Sequence, residues 1–182
     1  MNDQQAPKIN PVPNQYTSVT PWIISPSSGS LIAFLEAAFA AEEVSNSRIT
    51  NEAGVVIHVV VKIGDALVML FDARAGWAPT PSFLNLYVAD IESTYQNVLQ
   101  LGGTSVTDIT ELWFGEKVCR ILDPFGNLWW INQRVEEVDF TDPAISQRAS
   151  TADALAGIEY IQQSLNEAML VQKRFFASKL TP

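Results

Sequence analysis

One histidine, His58, and one cysteine, Cys119, are all the imidazole and thiol that this 182-residue chain contains. An imidazole titrates near neutrality and can serve as general base or metal ligand. His58, however, stands in GVVIHVVVKIG, where the flanking valines read as a strand. It therefore reads first as a partly buried or edge residue hydrogen-bonded to a neighbour. Cys119, in KVCRIL, reads as strand filling, since nothing near it forms a Cys and His pair. A lone thiol excludes an internal disulfide, and a lone imidazole leaves any metal site to rely mostly on carboxylates. Aromatic chemistry is better supplied, with five Trp, four Tyr and nine Phe available for stacking and cation-π attraction.

Charge and composition narrow what those residues could act on. Twenty acidic against 11 basic residues give a formal net charge of -9, which disfavours nucleic acid and anionic membranes as partners. A hydrophobic fraction of 47% with 17% charged residues suits a compact globular protein. The start, MNDQQAPKINPVPNQYTSVTP, is polar and Pro-rich without an apolar h-region, and no apolar run approaches the roughly 20 residues of a membrane span. The expectation is a soluble, cytoplasmic protein.

The elements that must position these side chains follow a repeated order. Residues 1–16 suit an extended arm. From residue 17 come a strand over Val19 to Ser25, a helix over Leu31 to Ala41 with Leu31, Phe34, Leu35, Ala38 and Phe39 on one face, a β-prone stretch around Val44 to Thr50, and strands over Val55 to Ile63 and Ala66 to Phe71. The loop Asp72 to Pro81 separates this from a second run of the same kind. Ser82 to Val88 reads as a strand, Asp90 caps a helix from Ile91 to Leu101 that Gly102 and Gly103 end, and Val106 to Ile109, Leu112 to Leu122 and Leu128 to Gln133 supply three more β segments. The class is α+β: tandem βαβββ modules, 17–73 and 82–134, within a domain spanning 17–138. Residues 139–182 read as linker and helix, with Ser150 and Asp153 as caps for an amphipathic helix from about Thr151 to Ser178, carrying Leu155, Ile158, Ile161, Leu165, Met169 and Phe176 on one stripe.

Tandem βαβββ modules with the phrases AAFAAEEV (Ala37 to Val44), KIGDALVML (Lys62 to Leu70), LNLYVADIES (Leu84 to Ser93) and DPFGNLWWI (Asp123 to Ile131) resemble the vicinal oxygen chelate superfamily, and its PhnB-like branch in particular. The family includes glyoxalase I, bleomycin-resistance proteins and extradiol dioxygenases. The resemblance implies that each module curls into a half-open sheet, that the two halves enclose a pocket in a barrel-like arrangement, and that the protein is a homodimer. Metal-using members draw one ligand, His, Glu or Gln, from each of four strands. The corresponding positions here are Thr20, Met69, Phe83 and Trp130, none of them a credible ligand for a divalent ion. No metal, no cofactor and no catalytic residue is therefore expected.

Period-two alternation carries the strand neighbours of these positions into the same pocket. Trp22, Met69, Phe71, Phe83, Asn85, Tyr87, Trp130 and Asn132 become the candidate ligand-binding residues, with the rings as walls and the two asparagines setting orientation. Leu84, Leu86, Val88 and Ile131 fall on the other face, under the helices. Trp77 and Trp113 could act as lids. Such a lining suits a small aromatic or cationic organic molecule, held without chemical change. Two other functions stay open: a metal-dependent lyase, isomerase or dioxygenase in which Asp72, Glu111 or Glu116 joins His58, and an interaction module acting through the C-terminal helix.

Overall fold

The computed structural model describes residues 9–77 and 80–180, with side chains as far as Gln172. The first module runs β1 (Trp22–Ser25), α1 (Ser28–Phe39), β2 (Glu42–Glu43), β3 (Ile49–Thr50), β4 (Val56–Ile63) and β5 (Ala66–Asp72). The second runs β6 (Phe83–Tyr87), α2 (Ile91–Gln100), β7 (Thr104–Leu112), β8 (Glu116–Leu122) and β9 (Leu128–Arg134). In each, the first strand pairs in parallel with the last, which then pairs antiparallel with the strand before it. The strand orders are β1-β5-β4-β2, with β3 also on β4, and β6-β9-β8-β7. The architecture is α+β, two open sheets and no closed barrel.

Each crossover helix starts where the end of its module's last strand meets it. Asp72 closes β5, and its Oδ1 accepts the Ser28 amide at 2.6 Å while Oδ2 takes that of Val56. Gln133, near the end of β9, accepts the Ile91 amide at 2.9 Å, and Asp90 caps the same helix by accepting from Ser93. These bonds satisfy amides that a helix leaves free at its start. The helices cover one face of each sheet. Ile23, Val59, Val61, Val68 and Leu70 of the first module and Cys119, Ile121, Trp129 and Ile131 of the second merge with residues of α1 and α2 into one core. Leu84, Leu86 and Val88 pack against it, as alternation predicts. Phe39 lies 4.8 Å from the Trp129 ring, and Asn97 donates to the Ala37 carbonyl, so the helical layer joins the modules.

Several elements differ from the sequence reading. The β-prone stretch Val44 to Thr50 forms only the two-residue β3, because Asn46 and its neighbours make a turn with φ 60° at Asn46. The expected strands Val106 to Ile109 and Leu112 to Leu122 divide elsewhere: one strand runs to Leu112 as β7, and β8 starts at Glu116 after Gly115, at φ 81°, reverses the chain. The arm has no helix or strand over 9–21, and residues 1–8 lie outside the described residues. A short helix, α3 (Ala144–Ala149), interrupts the linker.

The long helix α4 (Ala152–Leu180) is capped by Thr151, whose hydroxyl accepts the Ala154 amide, in place of Ser150 or Asp153. It lies on β7, on the side of the second sheet that α2 leaves bare. Its buried residues are Ala154, Ile161, Ser164 and Ala168, while Leu155 and Met169 of the expected stripe face outward and the Phe176 side chain lies outside the described residues. Small residues let the helix approach closely: a Cβ on Gly157 would come within 3.2 Å of Leu112. Polar contacts fix the register, with Thr107 Oγ1 and Ser164 Oγ 2.7 Å apart, the Asp108 amide donating to the Tyr160 hydroxyl, and Gln172 donating to the Gly126 carbonyl. Among the described residues no helix is long and apolar enough to cross a membrane.

Candidate ligand-binding site

On the first sheet the face away from the helices carries Trp22 of β1, His58 of β4, and Met69 and Phe71 of β5. Trp22 meets His58 edge-on at 5.6 Å and Phe71 at 5.4 Å, and Phe71 meets Trp77 of the inter-module loop at 6.3 Å. The guanidinium of Arg74 sits 5.0 Å over the Trp77 ring. Trp22 is 43% exposed and Trp77 48%, so the cluster is open to solvent. His58 is half-buried with Nδ1 2.9 Å from the Ser47 carbonyl, the hydrogen-bonded strand residue that the sequence suggests.

On the second sheet Phe83, Asn85 and Tyr87 line up along β6 beside Trp130 and Asn132 of β9. The Phe83 and Trp130 rings are near parallel, 15° apart with centroids at 6.4 Å. Phe83 is 50% exposed and Tyr87 57%. The two asparagines spend hydrogen-bonding capacity on each other, Asn132 donating to Asn85 at 2.6 Å. Across the sheet α4 covers the β7 and β8 side, and Ile158 and Ile161 join Leu112, Phe114, Val118 and Trp130 in a second apolar cluster. Within it lies Arg120, 3% exposed, its guanidinium 4.1 Å over the Trp130 ring and its Nη1 donating to the Ile161 carbonyl. Burial lowers its pKa from the usual arginine value.

The eight candidate residues thus fall into two groups, Trp22, Met69 and Phe71 on one sheet and Phe83, Asn85, Tyr87, Trp130 and Asn132 on the other. Among the described residues no ring pair and no hydrogen bond links the groups. Cavities of about 190 and 240 Å³ flank α4, lined in part by Thr104, Ser164 and Ala168 and by Glu111, Trp113 and Arg148, apart from these rings. Trp113 packs edge-on against Phe114 and Phe140. Arg120 escapes a search for rings and metal ligands, yet its signal is present: Cys119 and Ile121 face the core, so alternation turns Arg120 the other way.

Comparison with known proteins fits this geometry. Residues 23–131 match the Glyoxalase/Bleomycin resistance protein/Dioxygenase superfamily. The chain belongs to this superfamily. An uncharacterised protein of Mycobacterium tuberculosis (strain H37Rv) is 28% identical over 140 residues, spanning 71% of this chain and 81% of its own, and one of Mycobacterium bovis aligns equally over 91% of its length. Among solved structures, TioX from Micromonospora sp. ML1 shares the fold with a TM-score of 0.54 at 14% identity, over 65% of this chain and 98% of TioX. A PhnB protein from Bacillus cereus does so at 0.52 and 19%, over 64% and 99%. The superfamily match ends at Ile131, before α3 and α4 begin.

Membership raises the question of a divalent ion, which the residues present do not fit. Thr20 lies just before β1 with its hydroxyl turned to the Thr17 carbonyl, Met69 offers a thioether, and Phe83 and Trp130 offer no lone pair. Among the described residues no group of three or more His, Cys, Asp or Glu is placed to hold an ion. Asp72 is committed to two backbone amides, and Glu116 accepts from the Tyr87 hydroxyl at 3.3 Å. Burial raises the Cys119 thiol to about 12, so it stays protonated at neutral pH.

Proposed function

We propose that this superfamily member sequesters a small aromatic or cationic organic molecule, without metal and without transforming it, in the manner of a bleomycin-resistance protein. The observation that carries the reading is the exposure of Trp22, Phe83 and Tyr87 on strands whose alternate residues face the core, Ile23 buried in it and Leu84 and Leu86 packed against it. Rings that merely filled the fold would lie in the core with Trp129. Kept at the surface of rigid strands, they offer flat apolar area whose burial is worth about 25 cal/mol per Å² before ordering costs. Trp22, Met69 and Phe71 form one wall and Phe83, Tyr87 and Trp130 the other, with the exposed Asn85 amide orienting the guest. A second copy of the chain is the partner that would close these open faces, giving a homodimer.

Native mass spectrometry of protein purified without chelator tests the reading in one spectrum. A dimer carrying extra organic mass and no metal is the expected result, whereas a stoichiometric divalent ion would favour a lyase, isomerase or dioxygenase. Trp22→Ala is the cleanest variant, because Trp22 is largely outside the core. It should weaken binding of an aromatic probe and leave the unfolding midpoint nearly unchanged. Trp130→Ala should abolish binding but also loosen α4, which packs beside that ring. Equal probe affinity in both variants and the native protein would remove the proposal.

A further inference from the structure

The second face contains two donors without acceptors. Arg120 Nε and Trp130 Nε1 are both buried and unpartnered, and they belong to directly opposed residues of β8 and β9. The four ion pairs among the described residues involve Arg48, Lys117, Arg134 and Arg148, so Arg120 has no carboxylate there. An arginine remains protonated in proteins, and both groups can only donate. A buried cation with a free N–H next to an indole N–H costs stability unless an acceptor, best an anionic one, joins them. The fold uses part of the guanidinium, Nη1 tying α4 through the Ile161 carbonyl and the plane stacking on Trp130, but leaves Nε without a partner. The first module places an apolar pair, Val60 opposite Met69, at the matching point of its sheet.

We infer that Arg120 and Trp130 form an oxyanion site and that the guest of the second face is an aromatic carboxylate. Resting on the binding reading above, this assigns the guest's charge. The carboxylate bridges Arg120 Nε and Trp130 Nε1, and the ring lies along Phe83 and Tyr87 on the uncovered β6 edge. A cationic guest is excluded from this face, because the guanidinium already occupies the Trp130 ring and repels a second positive charge. Ile161 of α4 closes over the site, so guest binding and the seating of α4 are linked.

Calorimetric titration with 2-naphthoate, with 2-naphthylmethylammonium as a cation of similar shape and with inorganic phosphate, tests this on the full-length protein. Naphthoate should bind the native protein and the ammonium should not compete with it. Affinity should fall about tenfold in Trp130→Phe, which keeps a ring but loses one N–H, and roughly a hundredfold in Arg120→Met. Thermal melts show whether Arg120→Met still folds, and if it does not, Trp130→Phe decides alone. Unchanged naphthoate affinity in Trp130→Phe, or phosphate displacing naphthoate at equal concentration and so revealing an adventitious anion site only, overturns the assignment. Binding of the ammonium but not of naphthoate also overturns it while sparing the broader binding reading; binding of neither sinks both.

Discussion

The two modules share their strand order, their parallel first-to-last pairing and even their helix-start device, yet their open faces differ in kind. The first carries Trp22, His58, Phe71 and Trp77, the two tryptophans exposed, and among the described residues no helix packs over them. The second is half roofed by α4 and holds a charge within it. Superposed by register, Val60 and Met69 of the first correspond to Arg120 and Trp130 of the second. The helix-facing side is constrained in both, because residues such as Val59, Leu70, Cys119 and Ile131 share one close-packed core. The opposite side lies outside that shared core, packed under α4 in the second module only, and there the halves differ. The modules share the helix-facing scaffold, and the opposite face is where their side chains differ.

The turns before the last strands carry the same contrast further, and the largest effect is expected there. In the second module Asp123, 3% exposed, accepts from the amides of Phe125 and Asn127, from Asn127 Nδ2 and from Trp129 Nε1. Asp123→Ala leaves these donors buried and unpaired, and should cost about 4–5 kcal/mol in urea unfolding. The corresponding turn of the first module holds Asp65 in solvent. Asp65→Ala should stay within about 0.5 kcal/mol. Similar costs for the two variants would mean that the turns are energetically alike.

Roofing is the next difference to break. Ile161 is buried against Leu112 and Val118, and Ile161→Ala should cost about 3 kcal/mol through lost packing. Hydrogen exchange should quicken in α4 and β7 and stay unchanged in β1 and β5. Equal quickening in both sheets would show that α4 supports the whole core. A smaller effect tests what the modules share. Asp72→Ala removes the acceptor of two amides and should cost about 1–2 kcal/mol, and Gln133→Ala, with one amide, about 1 kcal/mol or less. The reverse order would place the helix-start energy elsewhere.

The same asymmetry decides what the sequence made legible. Alternation along β6 and β9 locates the core side, since Leu84, Leu86, Val88 and Ile131 pack under the helices, and the Asp90 cap is legible from residue type alone. The packed side of α4 is legible only in part: Ile158 and Ile161 of the expected stripe meet the sheet, whereas Ala154, Gly157, Ser164 and Ala168, weakly apolar or polar, complete it by allowing close approach. The β7–β8 hairpin was hidden by an unbroken β-prone run whose one glycine, Gly115, makes the turn. Residue types and alternation proposed the eight candidate side chains, but whether rings on different sheets meet depends on how the modules are set together, which no local pattern encodes. Arg120 is illegible for another reason: a charge in a strand usually means a solvated face, and here α4, folding back from outside the family match, buries it.

The smallest effect concerns a position where the halves agree. Cys119 opposite Ile131 corresponds to Val59 opposite Leu70, and all four residues are buried in the common core. Cys119→Val, which writes the first module's residue into the second, conserves an apolar environment and should shift stability by less than about 1 kcal/mol. The native thiol, raised by burial to about 12 and sealed from solvent, should resist an aromatic disulfide reagent at pH 8 until the chain unfolds. A reaction much faster than global unfolding would mean that the α2 side of the second sheet opens locally. The second module would then be loose on the face where it is drawn tightest, and its difference from the first would extend into the core.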